Sequence, residues 1–382
     1  MYARVPDLNI YLNKMKRNFY SLLLSFLLCP LSIQAQDITV GTYKTSDGGI
    51  YQGELFKGKP WGQGKTTYKN GDVHVGKYEK GKRHGHGVYQ FADGERYEGE
   101  WMQNHQHGNG TFYFKNNNKY TGLWFRDYQQ GHGTMYYYNG DVYVGNWKED
   151  KRNGTGSYTY ANGTQYIGTW ENDLKQGYGK FTWPNGDYYE GEWKNNKMWG
   201  KGTYHYASGD EYVGQWENGK QHGQGIFQLA SGDRHEGTYL QGERNGQGIT
   251  TFANGDKYSG HYSNGEQDGM GTYTYATGAI YQGMWKNGKR HGKGKYTSSE
   301  GTYEGNWNAG VMDGEGTLRM QDDYKYRGQF KNGLKNGHGI MEDKNGVRYE
   351  GEWKNDMKNG PFQVRSGSSS RVVNYVNDRE IN

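Results

Sequence analysis

A chain of 382 residues that is only 32% hydrophobic, with 64 glycines, cannot assemble a large aliphatic core. Aromatic residues nevertheless reach 16%, led by 37 tyrosines and 12 tryptophans, which excludes a disordered polymer. The net charge of +5 is spread over interspersed charges of both signs, against a nucleic-acid binder, and the single cysteine, Cys29, lies near the N-terminus, so no disulfide framework or zinc finger holds the rest of the chain.

Residues 1–35 read as a signal peptide. Met15-Lys16-Arg17 supplies a charged start, Phe19 to Leu31 an apolar stretch, and Ser32-Ile33-Gln34-Ala35 a cleavage site after Ala35. Met15 is the alternative start, and a retained anchor helix is the competing reading. The leader predicts export through the secretory pathway to the periplasm, the outer membrane or the outside of the cell. Residues 36–50 read as an N-terminal cap and partial repeat, because Gly41 and Gly48 already fall in register with the glycines that recur from Gly53 onward.

From residue 51 to 362 one unit recurs about fourteen times with a period of 23. Tyr97-x-Gly99-x-Trp101 returns as Tyr143-x-Gly145-x-Trp147, Tyr166-x-Gly168-x-Trp170 and Tyr281-x-Gly283-x-Trp285. A glycine pair follows in each copy, Gly85/Gly87 or Gly154/Gly156, and then a turn dipeptide such as Asn70-Gly71 or Asn162-Gly163. The dipeptide predicts a type I′ hairpin turn there, and the prolines Pro60, Pro184 and Pro361 predict loop or turn positions. Alternation with period two puts Tyr, Gly and Trp on one face of a strand and Glu, Lys, Gln and Thr on the other. The recurring glycine implies a ring lying across a neighbouring backbone where any Cβ would collide. The fold expected is all-β: an elongated, twisted antiparallel array of β-hairpin repeats. Residues 363–382, with Arg371-Val372-Val373-Asn374-Tyr375-Val376, read as a C-terminal capping strand and tail that cover an open edge.

The run Tyr281-x-Gly283-x-Trp285-x-x-Gly288-Lys289-x-x-Gly292-x-Gly294 resembles the MORN (membrane occupation and recognition nexus) repeat, and the resemblance extends over residues 39–362. Asn104, Asp127, Asp150, Asp173 and Asn196 stand where other copies have the fourth glycine, which suits a turn. The resemblance implies a protein–protein scaffold, self-association in some members, and phospholipid association in others. It also carries a lipid-kinase label borrowed from larger proteins, for which this chain shows no kinase motif.

Chemistry within the repeats is sparse. Gly64-Lys65-Thr66 ends like a phosphate-binding loop, but Lys59 stands where the loop needs its first glycine. His84, His86 and His107 are read as interchangeable turn residues, a weak metal site being the alternative. Lys82, Arg83, Lys289, Arg290 and Lys293 form basic turns that could meet an anionic partner, although Glu149-Asp150 and Glu266 interrupt the stripe. The tryptophans from Trp101 to Trp216 could stack sugars or hold acyl chains, but the reading preferred is that they are the core. The expectation is therefore a non-enzymatic interaction module with no catalytic residue, metal, cofactor, nucleic acid or small-molecule substrate. It would bind unidentified protein partners, with membrane phospholipid or a second copy of itself as further candidates.

Overall fold

The computed structural model describes residues 37–381; the leader and its cleavage site at Ala35 lie outside them. Every regular element among the described residues is an antiparallel strand, and contacts divide the chain after Gln106 into two units. In the first, β1 (Ile38–Lys44), β2 (Ile50–Phe56), β3 (Lys59–Thr67), β4 (Val73–Glu79), β5 (Lys82–Gln90) and β6 (Arg96–Met102) each pair with the next. The second unit has mostly alternating seven-residue and nine-residue strands, for example Val142–Lys148 and Lys151–Thr159, with strands of ten, eight and ten residues at Lys289–Ser298, Gly301–Asn308 and Val311–Met320. Its last strands are Met357–Ser366, Ser369–Val376 and Arg379–Ile381. Tyr375 on the middle one packs its ring edge-on to Phe362.

Two kinds of connection alternate, and their chemistry differs from the expectation. The two-residue link inside each repeat is the type I′ turn. Both central residues take positive φ, as in Asn287 (48°) with Gly288 (71°) or Asn195 (49°) with Asn196 (67°). Asn and Asp tolerate this left-handed region better than other side chains, so Asn104, Asp127, Asp150, Asp173 and Asn196 serve where glycine is absent. Asn70-Gly71 and the dipeptides equivalent to it lie instead in three-residue loops. At Tyr68–Asp72, Gly71 N–H donates to Tyr68 O (3.1 Å), Tyr68 N–H donates to Asp72 O (2.9 Å), and only Gly71 has positive φ (92°). This is a type I turn closed by a glycine bulge, so the type I′ reading of Asn70-Gly71 is corrected. The longer loop changes the twist less tightly, and one left-handed residue suffices.

The two glycines of each pair also prove to have different tasks. Gly156 pairs with Gly145, but Trp147 pairs with Arg152, so Asn146 alone opposes residues 153–155. Gly154 sits in this bulge with φ of 86°. The bulge recurs at the same place along the array, and it corrects the placement of two prolines. Pro361 occupies a bulge in the strand Met357–Ser366, and Pro60 lies in β3 beside one, where the ladder is interrupted and a missing N–H is tolerated.

Candidate functional site

Among the described residues, side chains converge on the ring face, which makes it the candidate site. Tyr97, Tyr143, Tyr166 and Tyr281 are completely buried, and Trp101, Trp147, Trp170 and Trp285 are at most 7% exposed. Within a strand the two rings meet edge to face: Tyr143 and Trp147 are 5.2 Å apart at 88°. The next strand pair supplies the second contact, Trp170 lying 5.5 Å from Tyr143 at 84°. Offset edge-to-face pairs of this kind are worth about 0.5–1.5 kcal/mol beyond their burial. Each ring also spends its polar atom on the backbone. The Tyr143 hydroxyl donates to Asn146 O (3.0 Å), and Trp147 Nε1–H donates to Gly133 O (3.3 Å). Burial pushes the Tyr51 and Tyr281 phenols up to about 12 and raises those of Tyr143 and Tyr166 as well. These hydroxyls stay protonated at neutral pH and cannot serve as bases.

The glycines make this packing fit. A Cβ on Gly156 would lie 2.3 Å from Tyr143 Oη, and one on Gly145 would lie 2.5 Å from the Gly156 Cα. Gly168 and Gly283 are closed in the same way by Tyr166 and Tyr281, and Gly99 pairs with Gly87 across β6 and β5. A ring across a bare backbone is therefore what the recurring glycine serves.

A further column went unread in the sequence. The residue two places into the second strand of each repeat lays its side chain across the rings. Arg152 Cζ is 4.4 Å from the Trp170 centroid, and Arg152 also binds Asp173 through Nε (2.9 Å) and a carbonyl through Nη2 (3.1 Å). Lys175 Nζ lies 4.2 Å from Phe181, 5.1 Å from Tyr166 and 5.2 Å from Trp193. Burial, with Arg152 adding a like charge, brings the Lys175 ammonium down to about 8. Gln106, Gln129, Met198 and Gln221 hold equivalent places, so a long flexible stem, not charge alone, is what the position requires. The only signal in the sequence is that short and branched side chains are rare in this column.

The basic residues proposed for anionic contacts divide accordingly. Lys82, Lys289 and Lys293 are exposed. Arg83 lies 4.2 Å from Trp101 and donates to Asn104 O (2.8 Å), and Arg290 lies 4.3 Å from Trp307 and donates to Gly310 O (2.8 Å). Both guanidiniums lie over rings of the core. Lys65 and Thr66 of the phosphate-loop lookalike are in β3, where Thr66 is fully buried and bonds Tyr78. Among the described residues no group of three or more His, Cys, Asp or Glu side chains is arranged to hold a metal ion.

A recurring spacing with this geometry has a family. The MORN repeat profile matches fourteen consecutive segments, from 51–73 and 74–96 through 281–302 to 349–361. The chain belongs to the MORN repeat family. No curated relative matches it. Among solved structures, the SAS-4 TCP domain of Drosophila melanogaster is 19% identical, over 41% of this chain and 85% of that one, with a TM-score of 0.28. The TCP10 domain of CPAP from Danio rerio is 13% identical over 64% and 93%, with a TM-score of 0.18. PorZ of Porphyromonas gingivalis is 7% identical over 88% and 75%, with a TM-score of 0.13. At these scores the likenesses carry no argument about the MORN chain. Membership of the family makes it a repeat scaffold of the kind used for protein or membrane interaction, in a family that is generally non-enzymatic.

Three copies carry polar residues in the ring columns. His74 and His235 stand in the tyrosine column, and Thr66 and Thr250 replace second-strand rings. His74 Nδ1 is 2.8 Å from Tyr78 Oη, which in turn bonds Thr66 Oγ1 at 2.5 Å. His235 Nδ1 is 2.8 Å from Thr250 Oγ1, which bonds Tyr262 Oη at 2.6 Å. The shorter imidazole does not reach the carbonyl that tyrosine would use, so both Nε2 atoms are buried without a hydrogen-bond partner. Burial brings His74 down to about 3 and His235 to about 4, the charge of Arg83 or Arg244 adding to the effect.

Proposed function

We propose that this MORN chain is a non-catalytic scaffold, exported by its leader, that binds protein partners in the bacterial envelope or outside the cell. The observation that carries the reading is how the aromatic residues divide between the two faces. The ring face spends most of its rings and their polar atoms on packing. The opposite face turns Tyr113, Leu123, Phe125, Tyr128 and Tyr136 outward, each 40–51% exposed, on the strands His105–Tyr113, Lys119–Phe125 and Tyr128–Tyr136. Exposed tyrosine and phenylalanine are enriched in protein interfaces, and a cation such as Lys119, 4.3 Å from the Tyr136 ring, suits the polar rim of one. Phospholipid association is the second reading, and exposed Lys82, Lys289 and Lys293 would carry it.

The test uses a tagged chain beginning at Gln36. Captured envelope proteins should be lost from a Phe125→Glu/Tyr128→Glu variant whose melting temperature is unchanged. The same chain should fail to sediment with phosphatidylglycerol vesicles at about 0.15 M salt, where weak surface attraction is screened. Sedimentation abolished by Lys82→Glu/Lys289→Glu/Lys293→Glu, without any captured protein sensitive to the aromatic variant, would overturn the protein-scaffold reading in favour of lipid.

A further inference from the structure

Where the second-strand column holds tyrosine, one or both of two partners stand at fixed offsets, and Tyr89 and Tyr158 have both. The carboxylate seventeen residues earlier accepts from the phenol: Tyr89 donates to Asp72 (2.7 Å), Tyr158 to Asp141 (2.7 Å), Tyr204 to Asp187 (3.0 Å) and Tyr273 to Asp256 (2.7 Å). The cation six residues earlier covers the ring: Arg83 is 4.8 Å from Tyr89, Arg152 is 5.3 Å from Tyr158 and Arg290 is 5.8 Å from Tyr296.

At residue 250 the column holds threonine, yet both partners are kept: Asp233 is seventeen residues earlier and Arg244 six. The threonine hydroxyl serves neither, being turned to His235 and Tyr262. Asp233 accepts Ala253 N–H on Oδ1 (2.8 Å), and its Oδ2 receives no donor among the described residues. Arg244 lies 5.3 Å from the Tyr262 ring and, among the described residues, makes neither an ion pair nor the turn-carbonyl bond made by Arg83, Arg152 and Arg290. Asp233 and Arg244 instead line a pocket of about 400 Å³ together with Phe227, Phe252 and Tyr239. That size is within the range of small-ligand sites, roughly 300–1,000 Å³. Tyr239 is 4% exposed, and its hydroxyl bonds no protein group among the described residues. The other threonine, Thr66, has Gly49 and Pro60 at the same two offsets, so its pocket lacks the frame.

We propose that the Thr250 pocket binds a phenol ring. The ring lies beneath Arg244 between Phe227 and Phe252, and its hydroxyl donates to Asp233 Oδ2, as the chain's own tyrosines do in four other repeats. The phenol comes either from a free small molecule or from a tyrosine side chain presented by a polypeptide. The inference does not depend on the scaffold reading.

The experiment titrates the chain with p-cresol and N-acetyl-tyrosinamide, and with toluene and N-acetyl-phenylalaninamide as hydroxyl-free counterparts, by saturation-transfer NMR. The phenols should bind saturably and the hydroxyl-free probes roughly tenfold more weakly, because Asp233 then stays unpaired. Tighter binding of N-acetyl-tyrosinamide than of p-cresol assigns the polypeptide source, and the reverse order assigns the free phenol. Thr250→Tyr should fill the pocket from within, abolish binding and melt no lower than the parent. Arg244→Met, a residue the same column already holds at Met198, should weaken phenol binding with the fold intact. Failure of either phenol to saturate, equal binding of toluene and p-cresol, or binding unaltered in both variants would overturn the proposal.

Discussion

Replacing Gly156 by alanine tests the packing rule at one atom. The backbone there is ordinary strand, so alanine alone should gain about 0.5–1 kcal/mol over glycine from reduced chain entropy. Its Cβ, however, would sit 2.3 Å from Tyr143 Oη and 2.6 Å from Cε2 and Cζ. Tyr143 has nowhere to go: it is fully buried and held edge-on by Trp147 and Trp170. Forcing the ring aside costs about 1–3 kcal/mol of overpacking, and losing its bond to Asn146 O costs about 1 kcal/mol more. The net expectation is a loss of about 1–3.5 kcal/mol. Repeats unfold locally and lean on their neighbours, so the assay is native-state hydrogen exchange on peptides covering 142–170. Exchange there should accelerate by roughly fivefold to three-hundredfold, since each 1.4 kcal/mol is a factor of ten. Acceleration under threefold, with an unchanged melting temperature, would refute the reasoning.

Other substitutions and pH give independent checks. Gly58→Asn should shift stability by less than about 0.5 kcal/mol in urea melts, because nothing lies within 4 Å and asparagine already serves at Asn196. Asp141→Ala should cost about 2 kcal/mol, because Asp141 accepts both the Tyr158 hydroxyl and Ala161 N–H. Burial tends to raise that carboxyl, but those bonds and one from Asn139 leave it below its ordinary value, so its contribution is present above the unfolded value and lost as pH falls through the folded one. Arg152→Ala should cost about 1–2 kcal/mol and Arg152→Met clearly less, since methionine keeps the stem over Trp170. His74 and His235 titrate lower in the folded chain than unfolded, so the unfolded state binds more protons between pH 6.5 and about 4, and stability falls as pH falls through that window. Melting temperatures from pH 7 to 4.5 should show the fall, and His74→Tyr/His235→Tyr should flatten it.

Much of the architecture was legible because one unit repeats. Tyr143-x-Gly145-x-Trp147 in register with Gly156 declares a strand pair with rings on one face and bare backbone beneath them. Repetition supplies the averaging that a single hairpin lacks. The turn types were not legible, because both connections carry Asn and Gly and only loop length separates Asn287-Gly288 from Asn70-Gly71. The cation column was missed because Arg152, Lys175 and Met198 share a stem length, not a chemical class. Thr250 was invisible for a different reason. Its meaning lies in Asp233 and Arg244, seventeen and six residues away, and those offsets acquire sense only once Tyr158 is seen between Asp141 and Arg152.

Whether the rings are shared packing or a row of contact sites is tested most directly by Trp147→Ala. Trp147 touches Tyr143 in its own strand and, at 5.3 Å, Tyr120 in the preceding repeat, and it donates to Gly133 O. With the rings as shared packing, hydrogen exchange should accelerate together across peptides covering 120–170, well beyond the mutated strand. Unchanged protection across that span, accompanied by lost partner binding, would contradict the packing role and make the ring a contact residue.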